Sequence, residues 1–464
     1  MPAASATPSL GLKQLALACA LSLGAAAPYA QAQSLSELYQ AARGYDASYL
    51  AARALADSAQ YKADQAHGLR RPTVNATVGA TRNVNDQPSA AILGTPPQVV
   101  QYSSNTTVRT TSAGVAGTWA LLNRANDATI AQADKGLESA QADLQVAEQD
   151  LIVRLAQTYF DVLNAQDTLA TAQANKKAIA EQLASAKRNF EVGNATITDT
   201  REAQARFDLA TAQEIAADND LHTKRIALDQ LVGRSDVSPK PLAAPVALPP
   251  LMPAGVEEWV AQTDQAPSVR KARVGYEVAQ LETEKARAGH LPTLNLNAGY
   301  TKGHSNIDQS AFGQSTGLSG PVTQSNIGIT LNVPLFAGYT VQNRVKETLL
   351  LEEQTRNNLE AARRGTAQAT RQAFFGVQSG QAQVQALEAA ESSSKLALEA
   401  TELGYKVGVR VNIDVLNAQT QLYTTERDLA KARYDVIVNS LKLKQAAGTL
   451  QPDDIEASNR LLAQ

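Results

Sequence analysis

The sequence predicts an internally duplicated α+β membrane protein, with long helices and four membrane-crossing strands per chain. Three observations carry this reading. The stretch "FEVGNATITDTREAQARFDLATAQEIAADND" (Phe190 to Asp220) lies over "YKVGVRVNIDVLNAQTQLYTTERDLAKARYD" (Tyr405 to Asp435) without a gap. Proline is absent from Gln98 to Ser238 and from Leu335 to Gln451, leaving room for very long helices. Four segments alternate apolar with polar or small residues at the period of a strand.

The duplication extends beyond its clearest part. "RRPTVNATVGATRN" (Arg70 to Asn83) matches "HLPTLNLNAGYTKG" from His290, and "LVG" at Leu231 lies over "AAG" at Ala446. The sequence therefore divides into a first repeat over 33–233 and a second over 256–448. A proline-rich linker over 234–255 separates them, and a short segment over 449–464 follows. Each repeat is expected to hold a leading helix, a strand pair (about 72–119 and 292–336) and long helices (about 124–232 and 340–447).

The helices carry heptad seams. Ile130, Ala133, Leu137, Ala140, Leu144, Ala147 and Leu151 alternate three and four apart, a large residue facing a small one. A further step of four to Leu155 is a stutter, which locally unwinds a supercoil. Val146, Val153 and Phe160 form a second row, so this helix has neighbours on two sides. In the second repeat Val415, Leu422, Leu429, Val436 and Leu443 sit seven apart.

The strands alternate Val74, Ala76, Val78, Ala80; Leu294, Leu296, Ala298, Tyr300; and Ile327, Ile329, Leu331, Val333. A fourth segment, about Thr106 to Trp119, alternates less cleanly. Each is about ten residues, enough to cross a bilayer when tilted. Leu331 is expected to face lipid and Asn332 a lumen. The polar stretches "VNDQPSAAILGTPPQVVQYSSN" and "GHSNIDQSAFGQSTGLSGPVTQS" are expected to be long outer loops, and Tyr102, Trp119, Tyr300, Phe336 and Tyr339 interface aromatics. Four strands cannot close a barrel, and open edges in lipid leave backbone groups unpaired. Several chains must share one barrel, and the strands alone leave their number open.

Residues 1–32 are expected to be a cleaved export signal: Lys13, then "LALACALSLGAAA", then small residues near Ala30. Cys19 is the only cysteine, so no disulfide framework is expected in the remainder. The formal net charge of −3 argues against nucleic acid. No catalytic constellation, phosphate-cradling loop or cofactor motif is present. His67, His222, His290 and His304 are scattered without metal-ligand spacing. An enzyme is not expected. A non-conducting trimeric coiled-coil scaffold is the alternative, and it gives no reason for the four alternating strands.

"TYFDVLNAQDTL", "FEVGNATITD", "GHLPTLNLNAGYT", "YKVGVRVNIDVLNAQTQLY" and "AAGTLQPDD" together resemble the TolC family of bacterial outer-membrane efflux and secretion ducts, over about Ser34 to Leu462. The resemblance implies a homotrimer. Its twelve shared strands would form a barrel in the outer-membrane lipid, continued by a periplasmic coiled-coil barrel with a mixed equatorial region. It implies partners too: a periplasmic adaptor, and an inner-membrane transporter (ABC or proton-driven) that supplies the energy. By the same resemblance a gate lock would use Gln182, Thr198, Asp199, Glu402, Tyr405 and Arg410. Tyr405 would tie its own helix pair to Asp199, Arg410 would bond Thr198 or Asp199 of an adjacent coiled coil, and Gln182 would pair with Glu402. Asp414 would line the narrowest ring, and Asn417 stands where family members carry a second acid. Val192-Gly193 and Val407-Gly408 would be adaptor-contacting turns, with Asn194 departing from the usual leucine.

Overall fold

A computed structural model describes residues 32–463 except 194–195, 244, 247, 249 and 312–313. The expected signal segment up to residue 31 and the Asn194 departure lie outside the described residues. The chain divides into two compact units, one comprising residues up to 50, 147–262 and 368–464, the other 51–146 and 263–367. Among the described residues, no helix is long and apolar enough to cross a membrane.

In the first repeat α1 (Leu35–Tyr45) and α2 (Ala47–His67) precede strands β1 (Thr73–Leu93) and β2 (Gln98–Leu122). Helices α3 (Arg124–Glu191) and α4 (Ile197–Val232) follow. The second repeat has α5 (Val256–Gln262), α6 (Pro267–Ala288), β3 (Thr293–Ala311), β4 (Gln314–Asn332), α7 (Thr340–Lys406) and α8 (Asn412–Ala447), and α9 (Asp453–Asn459) ends the chain. At ~1.5 Å per residue, the 68 residues of α3 make about 100 Å of helix. The duplication holds at the level of single residues. Both α4 and α8 have 36 residues and end on a left-handed glycine, Gly233 (φ 70°) and Gly448 (φ 77°). At Gly233 a second constraint acts, because a β-carbon there would run into the Tyr45 ring.

Among the described residues the first unit holds most of the buried apolar side chains. Leu35 and Leu38 of α1, Leu151, Leu155, Tyr159 and Phe160 of α3, Leu228 of α4 and Leu441 of α8 are fully buried. The expected α8 seam is buried throughout, from Val415 to Leu443. Buried Tyr159 donates its hydroxyl to the carbonyls of Gln33 (3.2 Å) and Lys240 (3.0 Å), fastening the chain before α1 to the linker. Trp259 packs on Phe374, Val377, Leu443 and Ala447, seating the far end of the linker. Phe160 lies against Tyr434, whose hydroxyl donates to Asp167 at 2.6 Å. Burial lifts the Asp167 carboxyl above the usual carboxylate range, against the lowering effect of that bond.

The second unit holds the sheet, with antiparallel order β1-β2-β3-β4 and both edges open. Its helices are laced by ion pairs, such as Lys135 with Glu277 (2.6 Å) and Lys271 with Asp143 (2.7 Å). The strands run 19 to 25 residues, about twice the expected ten. The stretches expected as long outer loops are mostly strand. Only residues 94–97 separate β1 from β2. The polar stretches are rich in Ser, Thr and Val, and each strand finds a continuous partner in its hairpin, so pairing persists past the apolar part. Pro88 lies in β1 and Pro321 in β4, the two edge strands, where a missing N–H removes no bond within the sheet.

Register sorts the side chains onto two faces. Val74 lies opposite Gly117, Gly117 opposite Ala298, and Ala298 opposite Ile327. Because side chains alternate, Val78, Val115, Trp119, Leu296, Tyr300, Ile329 and Leu331 share that face. The other face carries Asn75, Thr77, Thr118, Asn295, Asn297, Thr330 and Asn332. One face is apolar and exposed, the other polar and small.

Candidate functional site: the two helix tips

Each repeat turns once between its long helices, at 192–196 and at 407–411. Gly193 (φ 78°) and Gly408 (φ 79°) supply the left-handed residue that reverses the chain, and their N–H groups bond the carbonyls of Phe190 and Tyr405. Val192, Val407, Val409 and Val411 are all exposed here. Beneath the tips Ile179, Leu183, Ala186, Ala203, Ala210 and Leu416 form a buried cluster with Phe207 and Ile413. It joins α3 and α4 of the first repeat to α8 of the second.

The two tips differ in one local device. Thr196 caps α4 and forms a capping box with Asp199. The Asp199 carboxylate accepts from the Thr196 N–H (2.9 Å) and hydroxyl (2.8 Å), and Thr196 accepts from the Asp199 N–H (3.2 Å). In the second repeat the cap position is Val411, which has no side-chain acceptor. Asp414, the counterpart of Asp199, instead meets Arg410 at 3.6 Å one turn back.

The expected lock residues converge on this region, with different partners inside one chain. While Asp199 accepts from its own cap, Thr196, the Tyr405 hydroxyl accepts from the Asn189 amide at 3.2 Å rather than donating to Asp199. That bond still links α3 to α7. The Gln182 side-chain oxygen is buried without a hydrogen-bond partner, and as an acceptor it is not the atom that would meet the Glu402 carboxylate. Glu402 is half-buried and Thr198 exposed. Asn417 accepts from Arg206 at 3.0 Å, a bond between α4 and α8 across 211 residues of sequence. Asn189 and Arg206 were not foreseen. Nothing in their local sequence marks them, since each pairs with a residue more than 200 positions away. Among the described residues there is no cluster of His, Cys, Asp and Glu able to hold a metal.

A sequence pattern describing the outer membrane efflux protein family matches residues 38–234 and again residues 262–449. This chain belongs to the TolC family of outer membrane efflux proteins. Outer membrane protein TolC of Vibrio cholerae serotype O1 is 32% identical over 446 residues, covering 96% of this chain and 97% of that one. Alkaline protease secretion protein AprF of Pseudomonas aeruginosa is 34% identical over 316 residues, covering 66% and 63%. The crystal structure of outer membrane protein VceC from Vibrio cholerae superposes with a TM-score of 0.69 at 18% identity, over 89% of this chain and 96% of that one, a likeness of fold. The chain is thus a TolC-family channel of the outer membrane, with helices extending into the periplasm, and not an enzyme. TolC-family channels form trimers, which makes twelve strands from four per chain. The apolar face of the sheet meets lipid and the polar face lines the pore.

Proposed function

We propose that three copies of this chain form the exit duct of a tripartite efflux pump, a type I protein secretion system, or both, gated at the periplasmic tips. The sheet carries this reading: it has one apolar face, one polar face, and two open edges that only neighbouring chains can pair. Residues 33–233 and 256–448 act as two halves of each protomer, so six similar tips ring one entrance. Asn189–Tyr405 and Arg206–Asn417 hold the tips of one protomer together. Thr198 and Arg410 are both exposed, and Arg410 reaches the next protomer by exchanging its contact with Asp414 for one across the interface. Asp414 charges the narrowest ring. A periplasmic adaptor docks at Val192-Gly193 and Val407-Gly408, and an inner-membrane transporter, ABC or proton-driven, supplies the energy. The efflux and protease-secretion names among its relatives support both cargo classes.

The decisive measurement is single-channel conductance of the purified protein in planar bilayers, with its assembly determined in the same detergent. A trimer that conducts supports the duct. A conducting monomer, or a trimer that inserts without conducting, refutes it. The only cysteine in the chain is Cys19. Val192→Cys and Val407→Cys therefore allow clean cross-linking to the adaptor, and failure of both to cross-link removes the tips as its docking surface.

A further inference from the structure

We propose that the lipid-facing side of the sheet carries, just above its apolar band, a ledge that binds the phosphate groups of an outer-leaflet glycolipid, with Arg82 and Arg109 as its anion-binding pair. This rests on the outer-membrane placement of the sheet, and not on the gate.

Height is the first argument. Trp119 lies on the apolar face near the end where the helices attach, its indole N–H donating to the Arg70 carbonyl at 2.9 Å. It marks the periplasmic interface. Arg109 is on the same face of the same strand, ten residues further out. At ~3.4 Å per residue and a tilt of about 40°, ten residues rise about 26 Å, close to the ~25 Å apolar band of a membrane barrel. Arg82 lies directly opposite Arg109 in the register, at the same level. Between Trp119 and this row, β1 presents Val74, Ala76, Val78 and Ala80 to lipid, while β3 and β4 place Lys302, His304 and Thr323 on the same face in the outer half of that span.

Charge is the second argument. Two arginines directly opposite on one face of a sheet repel. Arg109 has a counterion, Asp308, at 2.9 Å. Among the described residues Arg82 has none, and it is exposed. Arg82 therefore leaves this row with an unmatched positive charge, which an outside anion would offset. On the pore side the neighbouring row holds Thr81, Thr110, Ser305 and Gly320, with no charge at all. The cations are placed on the side where, deeper in lipid, they would be costly. At this height they meet the headgroup layer instead.

The row is completed by neutral polar groups. Asn306 and Ser319 follow Arg109 across β3 and β4 and bond each other, and His304 meets the Ser319 hydroxyl at 2.8 Å. Lys302 faces the same side two rows deeper, and Asp86 two rows further out, where it accepts from Ser103 at 2.9 Å. Guanidinium forks recognise phosphate oxygens in paired fashion, while amides and hydroxyls suit sugar hydroxyls. The apolar band below would take the acyl chains. A phosphorylated sugar bearing acyl chains satisfies all three zones, and free phosphate only one.

Purified trimers can be titrated with lipid A and with its dephosphorylated form, reading bound lipid by native mass spectrometry. Inorganic phosphate serves as competitor. Wild type should bind lipid A at least fivefold more tightly than the dephosphorylated lipid. Arg82→Gln should lose most of that preference, while Arg356→Gln, on an exposed face of α7, should keep it. Arg109→Gln would also free Asp308, so Arg82→Gln is the primary variant. Equal binding of the two lipids, unchanged preference in Arg82→Gln, or full displacement by millimolar inorganic phosphate would each overturn the proposal. Conductance of Arg82→Gln should match wild type, which reads the channel function separately.

Discussion

Substituting arginine at successive positions tests both the facing and the depth of the sheet. Val115 lies on the apolar face, four residues from Trp119 and six from Arg109. With the same rise and tilt these separations are about 10 Å and about 16 Å, so Val115 sits within a few ångströms of the bilayer middle. An arginine there costs about 2–4 kcal/mol per chain, or roughly 6–12 kcal/mol per trimer. Ala116 is the next residue, opposite Asn75 and Gly299 on the pore face, and Ala116→Arg should be nearly silent. Leu331 faces lipid too, but it is one residue from the end of β4 and opposite Leu294. It belongs near the periplasmic interface, where the cost falls to about 0–1 kcal/mol. The register sets this depth, because Ile329 shares the row of Trp119 and Leu331 lies two residues further toward the helices. Urea unfolding of the trimer from lipid vesicles gives all three values. If Ala116→Arg is as damaging as Val115→Arg, the facing is wrong. If Leu331→Arg matches Val115→Arg, the depth scale is wrong.

At the tips, Tyr405→Phe removes a neutral hydrogen bond worth about 0.5–1.5 kcal/mol, three times per trimer. Combined with Arg410→Ser it should raise single-channel conductance while the trimer persists, and unchanged conductance would dismiss the lock. Asp414→Asn should leave the closed state in place and lower cation preference only modestly, because Arg410 already lies 3.6 Å away. Reversal potentials in a salt gradient measure this, and an open channel would refute it. For Asp167, burial raises the folded-state pKa above the unfolded value, so the favourable contribution is present at acid pH and lost as pH rises through the folded value. Asp167→Asn should therefore be neutral or stabilising at pH 7. Tyr434→Phe strips the carboxylate of its hydroxyl donor and should cost about 1–3 kcal/mol at pH 7 and less near pH 4. Thermal unfolding across pH checks both, and a destabilised Asp167→Asn at pH 7 would count against the buried-charge argument.

The features legible in the sequence are those with a local or periodic signature. Val-Gly turns, heptad spacing in α8 and alternation in β1, β3 and β4 each repeat within a few residues, and the duplication supplied the Val-Gly turn and the first strand of each pair twice. Strand length was misjudged because alternation fades where the sheet leaves lipid: both faces are then wet, and nothing in the pattern separates a paired polar strand from a loop. Asn189–Tyr405 and Arg206–Asn417 were invisible for another reason. Such bonds depend on how α3 and α4 lie against α7 and α8, and spacing along one helix does not encode that. The Thr196–Asp199 box has a sequence signature, T-x-x-D, although the family resemblance implies a more distant partner for Asp199.

That box has a consequence for symmetry. Duplication offers the ring six equivalent helix starts, but Val411 cannot do what Thr196 does. Losing a side-chain cap costs a helix about 0.5–2 kcal/mol at its first turn. The six tips therefore alternate between stapled and unstapled, and sixfold likeness gives way to threefold. Amide exchange should be faster at the start of α8 than of α4. An opening iris would begin to fray at three of its blades, all from the second repeat, while the other three hold their shape.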